Sequence, residues 1–224
     1  MKKEYQKIIF AHVPKTAGTA FRYMLYDAFG QENILHDYDD DPVNPLSRFS
    51  IDPDYYRRNK IISLGKYKIV HGHFGPSKYR YVDNAIRIAF LRDPVDNIVS
   101  IYYYWKTLDR TDSPILNYVR DNNLSIIEFA SLAKIRWLYT KTYFGDCDMS
   151  TFDFLGKFSR FNEDLNKLSE LLGVKLDNTI CVNRTGENDR IVLELKMNAL
   201  KDHALREKLT SLLSDDIKFY EMVK

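Results

Sequence analysis

Near the start of the chain, the apolar run Ile8-Ile9-Phe10-Ala11 leads into His12-Val13-Pro14-Lys15-Thr16-Ala17-Gly18-Thr19, followed by Phe21, Met24, Leu25 and Ala28. Four successive apolar residues suit a buried strand, and apolar positions at i, i+3, i+4 and i+7 mark one face of a helix. The chain is therefore expected to open with a strand, a tight loop and a helix. The first N–H groups of a helix have no intrahelical acceptor, and the macrodipole adds partial positive charge there. With one lysine and several small or hydroxyl residues, this loop is suited to hold an anion, a phosphate or a sulfate. It is not a Walker loop: in GxxxxGK[ST] the lysine follows the second glycine, whereas Lys15 precedes Gly18.

The same alternation continues downstream. Tyr67-Lys68-Ile69-Val70 reads as a strand running into His71-Gly72-His73, and Ile86 to Leu91 as another running into Arg92-Asp93-Pro94. The helix after it carries Val95, Ile98, Val99, Tyr102 and Trp105, with Asp93 as N-cap, Pro94 at its first position and Asp96 at its third. Ser125 and Glu128 form a capping box, which predicts a helix through Ile127, Ala130 and Leu138. A strand is expected over Phe152 to Phe158, a helix from Asn162 to Leu172 closed by Gly173, a short strand at Thr179 to Val182, and one or two closing helices over 202–223. Asp37 to Asp54, with three prolines and little periodicity, reads as a loop insertion. Strands alternating with helices imply an α/β fold with a central, mostly parallel sheet flanked by helices.

Lys15, His73 and Arg92 each follow a predicted strand, so three loops deliver them to the sheet edge where open α/β folds bind ligands. Lysine is a flexible, hydrated point charge suited to a transferring group. Arg92 and Ser100, seven residues after the Asp93 cap and about 10 Å along the axis, can share one phosphate. His71 and His73 lie on one face of a strand, and a near-neutral imidazole can take a proton from an alcohol. A His-x-His pair also suits zinc, but no third ligand stands nearby, so no metal is expected. Arg184-Thr185-Gly186 offers a second phosphate clamp or a plain polar turn. His12 is a candidate wall of the crevice, while His36 and His203 read as ordinary packing or surface residues.

The 224 residues, 45% hydrophobic and 29% charged, suit one soluble domain with a sizeable core. A net charge of +2 gives no argument for nucleic acid, so local basic groups must carry any anion binding. No apolar run is long enough to span a bilayer, and the N-terminus has no signal-peptide core. The expectation is a cytoplasmic protein, in the Golgi lumen only if an N-terminal anchor has been removed. Cys147 and Cys181 make neither a metal site nor a disulfide framework.

With these motifs placed, the chain resembles the sulfotransferases that use 3′-phosphoadenosine 5′-phosphosulfate (PAPS), and within them the heparan sulfate and uronyl 2-O-sulfotransferases. His12 to Thr19 resembles the 5′-phosphosulfate loop, Arg92-Asp93-Pro94 with Ser100 the 3′-phosphate motif, and Tyr67 to Phe74 a segment with a His-Gly-His acceptor-side base. More loosely, Ser125 to Gly145 resembles an acceptor-side helical region, and Asp215-Asp216 with Tyr220-Glu221 the closing helix. The chain is short for that group and shows no membrane anchor, which points to a bacterial or otherwise compact relative. The resemblance implies a single sulfotransferase domain over 1–224 with a P-loop-like, three-layer fold. It implies in-line sulfuryl transfer to a hydroxyl of a glycan, with 3′-phosphoadenosine 5′-phosphate (PAP) as product and no metal. Lys15 would be catalytic, with His73 or His71 as base. Lys15, Thr16, Ala17, Gly18, Thr19, Arg92, Ser100, Arg184 and Thr185 would hold the donor. The rival classes are a P-loop-type small-molecule kinase, which normally requires the Walker order and Mg²⁺ ligands, and a non-catalytic nucleotide- or glycan-binding module.

Overall fold

The computed structural model describes residues 7–109, 112–179 and 190–223. Five strands, β1 (Lys7–Ala11), β2 (Ile34–Asp37), β3 (Ile69–Gly72), β4 (Ala85–Leu91) and β5 (Phe154–Lys157), form one sheet in the order β2-β3-β1-β4-β5. Every adjacent pair is parallel, with Phe10 opposite both His71 and Ile88, and His71 opposite His36. All C-terminal strand ends therefore lie along one edge.

Alternation along the strands sorts the core onto two faces. Ile8, Phe10, Ile86, Ile88 and Phe90 pack against α1 (Gly18–Phe29) and α8 (Phe161–Leu172) through Phe21, Met24, Leu25, Leu165 and Leu168. On the other face, Ala89 and Leu91 meet α4 (Pro94–Thr107), α6 (Ile126–Ser131) and α10 (His203–Leu212), while Ile9, Ala11 and Val70 meet Phe74, Tyr79 and Val82. The result is helices, sheet, helices: the α/β layering expected from the sequence.

α1, α4, β4, β5 and α8 form where periodicity and caps put them. Asp93 Oδ1 accepts the Asp96 N–H at 3.0 Å, and Gly173 closes α8 at φ 69°. Asp96 does not complete a capping box; its carboxylate accepts from Arg206 on α10 at 2.7 Å. The Ser125 box is reciprocal, but the helix expected to reach Leu138 breaks. Leu132 turns extended, and α7 (Ala133–Arg136) and a π-helical turn at Leu138–Tyr143 follow. The backbone N–H groups of Tyr139 and Thr140 there donate to Asp216 on α11 (Ser214–Met222), at 2.8 and 2.9 Å, so a tertiary carboxylate replaces helical partners.

Five elements had no clear sequence signal: β2, α5 (Pro114–Asp121), α9 (Arg190–Lys201) and two single-turn helices, α2 (Arg48–Ile51) inside the expected loop insertion and α3 (Tyr55–Arg58) just after it. That segment is tied down by buried ions. Lys78 Nζ lies 2.7 Å from Asp37 and 3.1 Å from Asp40, Tyr79 donates to Asp37 at 2.8 Å, and Tyr56 donates to Asp40. Of the expected strand at Thr179 to Val182, Thr179 is in a turn and 180–182 lie outside the described residues.

Candidate active site

The sheet edge gathers the expected residues. Between β1 and α1 the chain takes left-handed φ values at Lys15 (64°) and Ala17 (67°), flanking Thr16. Such conformations cost roughly 1–2 kcal/mol for a residue with a Cβ. Alternating them turns successive N–H groups toward one side, the concavity that binds anions. The Thr16 hydroxyl donates back to the Val13 carbonyl at 2.8 Å, so this side chain braces the loop. Gly18 is required by packing, since a Cβ there would lie 2.0 Å from the His12 ring. Thr19, one residue on, is partly exposed in the first turn of α1.

Lys15 Nζ lies 4.1 Å from the centroid of the Tyr104 ring. Its pKa is lowered to about 8, by burial first and then by repulsion from Lys196 and Arg92. Arg92 lies over the Phe158 ring at 4.7 Å, and its Nε is buried without a hydrogen-bond partner among the described residues. Its backbone is clamped: Tyr139 Oη accepts from the Arg92 N–H at 3.1 Å and donates to the Arg92 carbonyl at 2.9 Å. Ser100 is buried on α4, two turns past the Asp93 cap. Lys196, on α9 packed across α4, has its pKa lowered by burial and then by Arg92. No sequence signal selects it, because its helix carries no motif. Three cations thus crowd one region while the nearest counter-charges, Asp93 and Asp96, are engaged by Arg206. An anion fits here.

Arg184 and Thr185, the second expected clamp, lie outside the described residues.

On the β3 side, Gly72 lets β2 approach; a Cβ there would sit 1.7 Å from the Asp37 carbonyl oxygen. His71 is within β3 and fully buried, its Nδ1 3.0 Å from the Tyr38 hydroxyl. His12 stacks on it with centroids 5.2 Å apart and meets the His73 ring edge-on at 4.7 Å. Burial, and then the neighbouring imidazoles, hold the pKa of both His12 and His71 well below the usual histidine value. His73 lies just past β3 with its side chain 23% exposed, and its Nδ1 is 3.3 Å from Asp41 Oδ2. Among the described residues its Nε2 has no hydrogen-bond partner. Asp41 belongs to the segment 37–54 expected to be a loop insertion, and no motif there selects it. Among the described residues no group of three or more His, Cys, Asp or Glu is arranged to hold a metal.

A family model described as the sulfotransferase family matches residues 1–222. The chain belongs to the PAPS-dependent sulfotransferases. Its co-substrate is PAPS, and the crowded cations and the orphaned Arg92 Nε fit that polyanion. Two solved structures are similar. One is a sulfotransferase from Alicyclobacillus acidocaldarius, 18% identical, covering 97% of this chain and 96% of that one at a TM-score of 0.46. The other is mouse sulfotransferase SULT7A1 complexed with PAP, 12% identical, covering 89% of this chain and 68% of that one at a TM-score of 0.46. No curated protein sequence matches this sulfotransferase. Nor is any of its described helices long and apolar enough to cross a membrane.

Proposed function

We propose that this sulfotransferase moves the sulfuryl group of PAPS to a hydroxyl of a carbohydrate acceptor, with His73 as general base. The observation that carries the reading is the convergence at one sheet edge of Lys15, Arg92, whose buried Nε has no partner among the described residues, and a partly exposed His73. The carbohydrate acceptor rests on the His71-Gly72-His73 motif and its resemblance to the 2-O-sulfotransferases.

When bound, PAPS supplies the sulfuryl group and a phosphate leaving group. Arg92 and Ser100 would fix its 3′-phosphate, and the N–H groups of the 15–19 loop would hold its 5′ end. Lys15, mobile on its stem, would neutralise charge growing on the leaving oxygen. His73 Nε2 would take the acceptor's proton. His71, enclosed between His12 and Tyr38, supports the ring stack rather than meeting the acceptor. The chain is treated as one domain in this scheme, because the donor and acceptor groups arise from the same sheet.

The test is transfer of labelled sulfate from PAPS to a panel of uronate polymers, other glycans and phenols, by wild type and His73→Ala. The expected result is a glycan product whose formation falls roughly 10²–10⁴-fold in the variant. Transfer to phenols alone overturns the acceptor, and unchanged transfer by His73→Ala overturns the base.

A further inference from the structure

We propose that Asp41 is a positioning residue for His73, holding the imidazole in the tautomer that leaves Nε2 free to accept a proton. This rests on the reading of His73 as the base. Asp41 Oδ2 faces His73 Nδ1 at 3.3 Å, at the long end of the hydrogen-bond range, as contacts in ligand-free sites often are. A carboxylate only accepts, so Nδ1 must carry the proton and Nε2 the lone pair.

Asp41 is itself held. Its Oδ1 accepts from the Tyr143 hydroxyl at 3.0 Å and from the Val43 N–H at 2.9 Å. Tyr143 is fully buried and belongs to the π-helical turn 138–143, so the break in the expected helix brings this hydroxyl to the acid. On the other flank, Asp40 and Asp37 are pinned by Lys78. Two elements far apart in sequence thus fix one carboxylate against one imidazole. That is more support than a loop acid needs for solubility. Structure alone would be served by the Val43 and Tyr143 bonds to Oδ1; the second oxygen is directed at His73.

The surroundings leave this role to Asp41 alone. His73 also meets the rings of His12 and Tyr38 at 4.7 and 4.9 Å. His12 and His71 are held neutral by burial, and Arg22 acts on both from α1. Lys134, on α7, acts on Asp41 and donates to Ser50 at 3.0 Å. Among these, Asp41 is the one anion in contact with the ring.

The proton balance is simple. As the acceptor oxygen bonds to sulfur and the sulfur–oxygen bond to PAP breaks, the hydroxyl proton passes to His73 Nε2. The imidazolium then faces the Asp41 carboxylate, which stays ionised, and later returns its proton to water.

Asp41→Asn tests this without emptying the site, since the amide oxygen can still accept from Val43 and Tyr143. Its NH₂ would then donate to Nδ1 and favour the opposite tautomer. Three readouts are taken with His73→Ala alongside: PAP affinity, the pH profile of kcat/KM, and the ¹⁵N shifts of His73 in the folded protein. We expect unchanged PAP affinity, at least ~10²-fold lower kcat, an altered pH profile, and ¹⁵N shifts reporting Nε2–H. Wild-type kcat and pH profile in Asp41→Asn, with His73→Ala inactive, overturn the positioning role and leave the base intact. Wild-type activity in His73→Ala overturns the base instead. A loss of activity matched by loss of folded protein, with His73 shifts unchanged, assigns Asp41 to structure and overturns the proposal.

Discussion

At the scale of single residues, Lys15 has the most direct consequence. Its pKa of about 8 reflects burial beside Lys196 and Arg92, and a bound polyanion restores its preference for charge. Between the free and bound pKa values, donor binding must therefore take up protons, and donor affinity must fall as pH rises through about 8. Calorimetry of PAP at pH ~8.5 in buffers of different ionisation enthalpy should show that uptake, and Lys15→Met should abolish it. The site was legible in sequence where a charged residue directly followed a strand, as with Lys15, His73 and Arg92. It was illegible for Lys196 and Asp41, which reach it from a helix and a loop with no motif. Gly18 was visible as a loop glycine, yet its contact with the His12 ring depends on a fold-level approach.

At the scale of elements, the closing helix α11 reaches the proposed donor site through two residues. Asp216 accepts from the Tyr139 and Thr140 N–H groups, and from the Thr140 hydroxyl at 2.7 Å, and Tyr139 in turn clamps the Arg92 backbone. Asp216→Ala should strip these acceptors, costing about 2–4 kcal/mol of stability in urea unfolding and weakening PAP binding as Arg92 loosens. Asp216→Asn, keeping one acceptor oxygen, should fall between it and wild type. Loss of stability with PAP affinity unchanged would break the link from α11 to Arg92. This coupling also explains why the helix after Ser125 stops short of its sequence pattern: the periodicity continues to Leu138, but a distant carboxylate outcompetes helical bonding at 139–140. β2 escaped notice for a similar reason. Its four residues, Ile-Leu-His-Asp, become a strand only through pairing with β3.

Across the whole molecule, the parallel sheet follows from short apolar runs alternating with capped helices, which is why its layering was readable while its strand order was not. Order depends on which faces meet, and that information is spread over cores built from distant segments. The histidine stack ties fold stability to pH. His12 and His71 stay neutral when folded but protonate near 6.5 when unfolded, so stability is full above that range and falls as pH drops below it. Each contributes a slope of up to ~1.4 kcal/mol per pH unit, and His12→Gln should reduce the slope in urea unfolding between pH 7 and 5 by up to one proton. The central claim is that the edge of the sheet where Lys15 and Arg92 meet binds the sulfonucleotide. Isothermal titration with PAP against wild type, Lys15→Ala and Arg92→Ala measures it directly. The account predicts tight binding by wild type, a roughly 10- to 100-fold weaker Kd in Arg92→Ala, and weakening in Lys15→Ala. Equal affinity in all three proteins, or binding of ATP–Mg²⁺ in preference to PAP, would contradict it.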